Sequence, residues 1–268
     1  MENIPVLCRK LFLDDPSISK YLPRNIYNWA VKIIDGCYRQ TSNPGPRKRI
    51  IEKTRHTKYV LLAGLEIMEK SSEINWNKYQ GIISCFLHDI GRFPQSYYDT
   101  YSDEDSCLDH AKMGADMFLK TNLKIKKYDY DRKEIYEAIE KHSRKTYLGN
   151  NIYAKLVRDA DKIGLFREFD RLEAWGKEEF KRKTISPKAL EEFIYGKSVS
   201  HSGRKTLADH YLLLASWFYD LNFAISKKIL IDEKIPEIIL DRLKKLKIRK
   251  SEYEKIERVL KVFKETNQ

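Results

Sequence analysis

The sequence predicts an all-α fold, a helical bundle followed by additional C-terminal helices, and three observations predict it. Apolar residues recur at i, i+3, i+4 and i+7 along most of the 268 residues. A hydrophobic content of 42%, with 12% aromatic residues, is enough to bury a sizeable core. Only 11 Gly and 8 Pro argue against a turn-rich β-sandwich. For an all-helical core of this size one domain over residues 1–268 is the default reading. It has an N-terminal helix within 1–46, a core at about 47–170 and a C-terminal helical extension over 171–268.

The first helix is expected over Asn25 to Tyr38, where Ile26, Trp29, Ala30, Ile33 and Ile34 fall at helical spacing. It stops at the breaker-rich loop Thr41-Ser42-Asn43-Pro44-Gly45-Pro46. A long helix follows from Arg47 to about Lys70, in which Val60, Ala63 and Ile67 share a face with His56. The next, from about Trp76 to Asp89, is apolar nearly all round at its end, as a central core helix would be, and Gly91 and Pro94 end it. Further helices are expected at about Ser106 to Leu119, Asp131 to Lys141 and Asn151 to Phe166. The less periodic stretch from Arg167 to Lys188 allows short strands or loops. Leu207, Tyr211, Leu214, Phe218 and Leu221 make one stripe, and Ile235 to Leu246 and Tyr253 to Phe263 supply two closing helices.

A formal charge of +12 gives the chain a positive field that favours phosphate-bearing ligands or nucleic acid over about 10 Å. Such a field biases encounter without defining a site. The four cysteines, at 8, 37, 85 and 107, lack C-x-x-C spacing, so neither a thiol redox motif nor a structural zinc knuckle is indicated. No window approaches the roughly 20 apolar residues of a membrane span, and a cytoplasmic protein with no membrane partner is the expectation.

The chemistry concentrates in inward-facing histidines and aspartates. His88-Asp89 ends the apolar run Ile82-Ile83-Ser84-Cys85-Phe86-Leu87, so an adjacent imidazole and carboxylate are carried into the core. His142 continues the stripe of Ile135, Ala138 and Ile139, His110 is followed on its face by Met113, Gly114, Met117 and Phe118, and Asp161 is in line with Ala154, Val157 and Leu165. A buried carboxylate without a cation or strong donors costs several kcal/mol. One inward histidine is more often a satisfied core group than a ligand, but four of the six, joined by two aspartates, point to a metal held by His56, His88, Asp89 and Asp161. His110 and His142 are expected at the same site. Imidazole and carboxylate without thiolate suit one or two divalent transition ions, Mn, Fe, Ni, Co or Zn. A bridging Asp89 would let His56, His88 and Asp161 hold one ion while His110 and His142 help hold a second.

At the level of motifs, residues about 50 to 170 resemble the HD superfamily of metal-dependent phosphohydrolases. The resemblance is carried by Arg55-His56-Thr57, by Leu87-His88-Asp89-Ile90-Gly91-Arg92-Phe93-Pro94 and by Asp109-His110-Ala111 with Gly114. Ala138-Ile139 with His142 and Asp159-Ala160-Asp161-Lys162 complete it. It implies a bundle with the site at its centre, and the extra histidines resemble the binuclear branch, which includes cyclic-nucleotide phosphodiesterases and some di-iron oxygenases. The family pattern puts the ligand on Asp161 and leaves Asp159 as a supporting or surface group. No Gly-Tyr-Pro element follows Gly91, unlike the cyclic-dinucleotide branch.

The expected function is hydrolysis of a phosphoester or phosphodiester by a metal-activated water, with Asp89, His110 and Arg92 as catalytic candidates. Arg55, Arg92, Arg144, Lys145 and Lys162 are the candidate phosphate contacts, since each flanks a ligand in sequence. In a one-metal version His110 would protonate the leaving oxygen instead of ligating. A nucleotide, cyclic nucleotide or oligonucleotide is the first substrate class, and single-stranded nucleic acid is second because 17 tyrosines offer stacking surfaces. Rival readings on the same ligands are a di-iron oxygenase and a non-catalytic nucleotide sensor. His201 and Asp209-His210 are weak signals, with His210 read as a core or capping group, and the C-terminal helices are a candidate homodimer contact.

Overall fold

The computed structural model describes residues 2–96, 103, 107–121, 123, 130–168, 184–200 and 204–267, and among them there are helices and no strand. The all-α expectation holds. The chain divides into two compact units, Met1–Gly164 and Leu165–Gln268. No helix is long and apolar enough to cross a membrane among the described residues.

The first unit opens with two short helices, α1 (Ile4–Cys8) and α2 (Pro16–Ser19), separated by a π-helical turn over Arg9–Leu13. Each helix is started by a side chain that accepts an orphan amide, Asn3 for α1 and Asp15 for α2, with proline in the first turn. They are too short for periodicity to reveal them. Helix α3 (Arg24–Gln40) follows as expected, and α4 (Pro44–Lys70) begins earlier than expected. The Pro44-Gly45-Pro46 run is not loop. Asn43 caps it by accepting from the Gly45 amide at 3.0 Å, and prolines in a first turn remove donors that have no partner there anyway.

Helix α5 (Lys78–Leu87) is buried from Gln80 onward and ends one residue before His88, so the His-Asp pair lies in the turn that follows it. A one-turn helix α6 (Arg92–Gln95) comes next. Helix α7 (His110–Leu119) starts at His110 because Asp109 caps it, accepting from the Lys112 amide at 2.9 Å, and the expected start at Ser106 lies outside the described residues. Helices α8 (Arg132–Lys141) and α9 (Ile152–Arg167) are capped by Asp131 and Asn151. Gln80 ties α5 to α8, since its carbonyl accepts from the Asp131 amide at 2.8 Å while its amide donates to Glu134.

The core of this unit is built on the predicted stripes: Val60, Ala63 and Ile67 on α4, Ile135, Ala138 and Ile139 on α8, and Ala154 and Val157 on α9 are all fully buried. Each large aliphatic chain among them contributes roughly 1.5–3 kcal/mol of burial. Gly91 allows a close backbone approach. A Cβ there would sit 2.1 Å from the His110 carbonyl oxygen and 2.9 Å from the Gly114 amide, so only glycine lets α7 start against the His88-Asp89 turn.

The second unit holds α10 (Pro187–Ile194), α11 (Leu207–Ser216), α12 (Ala224–Asp232), α13 (Ile235–Lys245) and α14 (Lys250–Thr266). Phe218 stacks on Phe263 at 4.8 Å and meets Phe166 at 5.6 Å in its core. Buried Asp209 closes the loop before α11, accepting from the Ser186 amide and hydroxyl at 2.7 and 2.6 Å and from the Lys205 amide at 3.0 Å. His210 is buried beside Arg204, in keeping with a core role, whereas His201 and the stretch 169–183 lie outside the described residues.

Candidate metal centre

Four helix-borne imidazoles and two carboxylates converge inside the first unit. His56 comes from the middle of α4, His88 and Asp89 from the end of α5, His110 from the first residue of α7, His142 from the end of α8 and Asp161 from α9. His56 and His88 are fully buried, and Asp89, His110 and His142 are buried to within 5%. Among the described residues, ligand atoms close enough to share an ion form one group of His56, His88 and Asp161, another of Asp89, His110 and His142, and a third, less buried, of Asp103, Asp109 and His110.

Asp89 lies between the two groups. Its Oδ2 is 3.4 Å from His88 Nε2, while its Oδ1 is 3.4 Å from His110 Nε2 and 3.5 Å from His142 Nε2. Asp161 Oδ1 is 2.9 Å from His56 Nε2 and 3.8 Å from His88 Nε2. One carboxylate therefore presents a different oxygen to each triad, the arrangement a bridging ligand requires.

The surrounding hydrogen bonds set the tautomers. His88 Nδ1 donates to the Cys85 carbonyl at 2.8 Å and His142 Nδ1 to the Ile139 carbonyl at 2.7 Å, each three residues back along its own helix. His110 Nδ1 lies 2.8 Å from both oxygens of Asp103. With Nδ1 carrying the proton, Nε2 of each neutral ring offers a lone pair inward, as a metal ligand must. The fit to a cation follows from two contacts. His110 Nε2 and His142 Nε2 face each other at 3.3 Å, lone pair against lone pair unless a proton or an ion intervenes, and His88 Nε2 is buried with no hydrogen-bond partner among the described residues.

Electrostatics agree. Burial alone would raise the Asp89 carboxyl, but the Lys53 ammonium, His88 and the adjacent His142 hold it well below the usual carboxylate range. Asp161 is likewise held low against its own burial by His56 and His88. Burial lowers His110 to about 4, so it is a neutral ring at ordinary pH, and Asp103 beside it is held at about 2 against burial by the His110 contact and Arg92. His88 is raised despite burial by the Asp89 charge.

The sequence-predicted cations are dispersed. The Arg92 guanidinium borders the centre, with Nε 3.7 Å from Asp89 Oδ1 and one amino group donating to Asp103 at 3.0 Å and to Gln95 at 2.7 Å. Arg144 pairs with Asp109 at 2.7 Å, and Lys162 donates to the Arg158 carbonyl at 3.2 Å. Arg55 and Lys145 are exposed. Asp159, expected at the surface or in a supporting place, is fully buried.

Sequence reasoning missed three residues. Lys53, one turn before His56, places Nζ 2.7 Å from Asp89 Oδ2. Asp103 orients His110 from a segment with no periodicity to betray it. Buried Arg158 donates to the carbonyls of Lys141, His142 and Arg144 at 3.1, 3.3 and 2.5 Å, which fixes the end of α8 and with it the His142 ring.

Comparison by family places this geometry, because residues 55–164 match the sequence model of the HD domain. Over residues 55–164 the chain has the pattern of an HD domain. HD domains bind divalent metals and as a rule belong to metal-dependent phosphohydrolases, and the matched span contains all six ligand candidates. No match was found among curated proteins, and none among solved structures. The HD domain's matched span begins at Arg55, so Lys53 precedes it.

Proposed function

We propose that this chain is a binuclear metal-dependent phosphohydrolase that cleaves a phosphoester or phosphodiester of a nucleotide, cyclic nucleotide or oligonucleotide. The observation that carries the reading is Asp89, whose two oxygens face two separate triads of inward ligands. His56, His88 and Asp161 would hold one divalent transition ion, His110 and His142 the other, and Asp89 both. Bound there, such ions supply Lewis acidity toward a phosphoryl oxygen and bring the pKa of coordinated water toward neutrality.

The chain's own groups supply the rest. His110, oriented by Asp103, keeps its lone pair on Nε2 and so serves as a ligand in place of the proton donor of a one-metal scheme. Burial of the imidazoles excludes water and strengthens each charge interaction at the reacting phosphate. Arg92 can exchange its contact with Asp103 for phosphate oxygens, which accept from a guanidinium with fork geometry. The net charge of +12 draws polyanionic substrates toward the protein.

The test is elemental analysis of the purified protein combined with a hydrolysis screen over nucleotides, cyclic nucleotides and short oligonucleotides under anaerobic conditions. Turnover with Mn2+, Co2+ or Ni2+ that chelator and Asp89→Ala both abolish is the expected result. Two irons with strictly dioxygen-dependent turnover would replace this reading with an oxygenase, and metal binding without turnover on any of these substrates would favour a sensor.

A further inference from the structure

Lys53 belongs to neither triad, yet it makes the shortest contact to the carboxylate that joins them. Its Nζ is 2.7 Å from Asp89 Oδ2, with the side chain only 15% exposed. That oxygen is the one facing His88 at 3.4 Å, while Oδ1 faces His110 and His142. An ion in the first triad and the Lys53 ammonium therefore call on the same oxygen. The arrangement is the one expected of a stand-in cation, a charge that compensates a buried carboxylate when no metal does.

Once Asp89 Oδ2 is committed to an ion, the Lys53 ammonium loses its partner in a place with little access to water. Its stem is long and flexible and its head is a compact point charge, suited to an anion arriving beside the metals. A phosphate oxygen brings that anion. We infer that Lys53 is a phosphate-contacting residue of the loaded centre, kept on Asp89 in the metal-free protein; the inference rests on the metal-dependent phosphohydrolase reading above.

Lys53→Met and Lys53→Arg in the full-length chain test it, by calorimetric titration first with Mn2+ alone and then, on the Mn2+-loaded protein, with inorganic phosphate. Lys53→Met is expected to take up its first Mn2+ about tenfold more tightly, because no ammonium competes. It should then bind phosphate about tenfold more weakly, the loss expected for one charge-assisted hydrogen bond. Lys53→Arg should retain phosphate binding within a few-fold. Thermal melts in chelator provide a readout that needs no turnover: Lys53→Met should be less stable than wild type without metal and gain more from Mn2+. Normal Mn2+ uptake with unchanged phosphate affinity in Lys53→Met would overturn the inference alone. Failure of wild type and variant alike to bind Mn2+ would overturn the metal reading and the inference with it.

Discussion

Replacing Asp89 by Asn removes one negative charge at nearly constant volume, and the surroundings fix what that costs. The carboxylate is buried and forms a 2.7 Å pair with Lys53, whose side chain is 15% exposed. Breaking a buried pair from one side costs about 3–5 kcal/mol, and the partial exposure of Lys53 sets the lower end, about 3 kcal/mol, as the expectation for metal-free protein. For a unit of this size that corresponds to a fall in Tm of about 6–12 °C. Calorimetry in chelator measures it, and the double variant Lys53→Met with Asp89→Asn supplies the control. Removing both charges should recover much of the loss, leaving a coupling of about 2 kcal/mol between the two sites. Additive losses, or an Asp89→Asn protein as stable as wild type that still binds metal fully, would refute the assignment of Asp89 as the shared, cation-compensated carboxylate.

Three further outcomes are expected. Asp103→Ala should weaken uptake of one of two ions by about 10–100-fold and leave the other within a few-fold, because only His110 loses its orienting carboxylate; a stepwise metal titration separates the two. The metal-free protein should lose stability as pH falls from 6.5 toward 4, since below 6.5 the unfolded chain takes a proton that the folded His110, lowered to about 4, refuses. That contribution amounts to about 3 kcal/mol over the window, and urea unfolding at several pH values should show it shrink in His110→Gln relative to wild type. Gly91→Ala should destabilise the first unit by about 1–3 kcal/mol and weaken metal uptake, because its Cβ would meet the His110 carbonyl at 2.1 Å; a thermal melt and a metal titration check both.

The ligand set was legible because each member rides on a regular helix or in the turn that ends one, where a period of 3.6 residues states which way a side chain points. His56 with Val60, Ala63 and Ile67, and His142 with Ile135, Ala138 and Ile139, are inward in the structure as the stripes require. What the sequence hid has tertiary causes. Lys53 stands in a charged run, Glu52-Lys53-Thr54-Arg55, that reads as a solvated face until α5 is packed against it. Asp103 comes from a segment without periodicity. Flanking a ligand in sequence did not bring Arg144 or Arg55 to the centre, because Asp109 claims the first and solvent the second. The Pro44-Gly45-Pro46 run showed that breakers mark a helix boundary without saying on which side of it they stand.

Crystals of the Mn2+-loaded protein, with anomalous scattering recorded at the manganese edge, test the central claim most directly. Two peaks are predicted, one among His56, His88 and Asp161 and one against His110 and His142, with Asp89 contacting both. A single peak that leaves Asp89 and either triad unused, or no peak inside the bundle, would contradict the account.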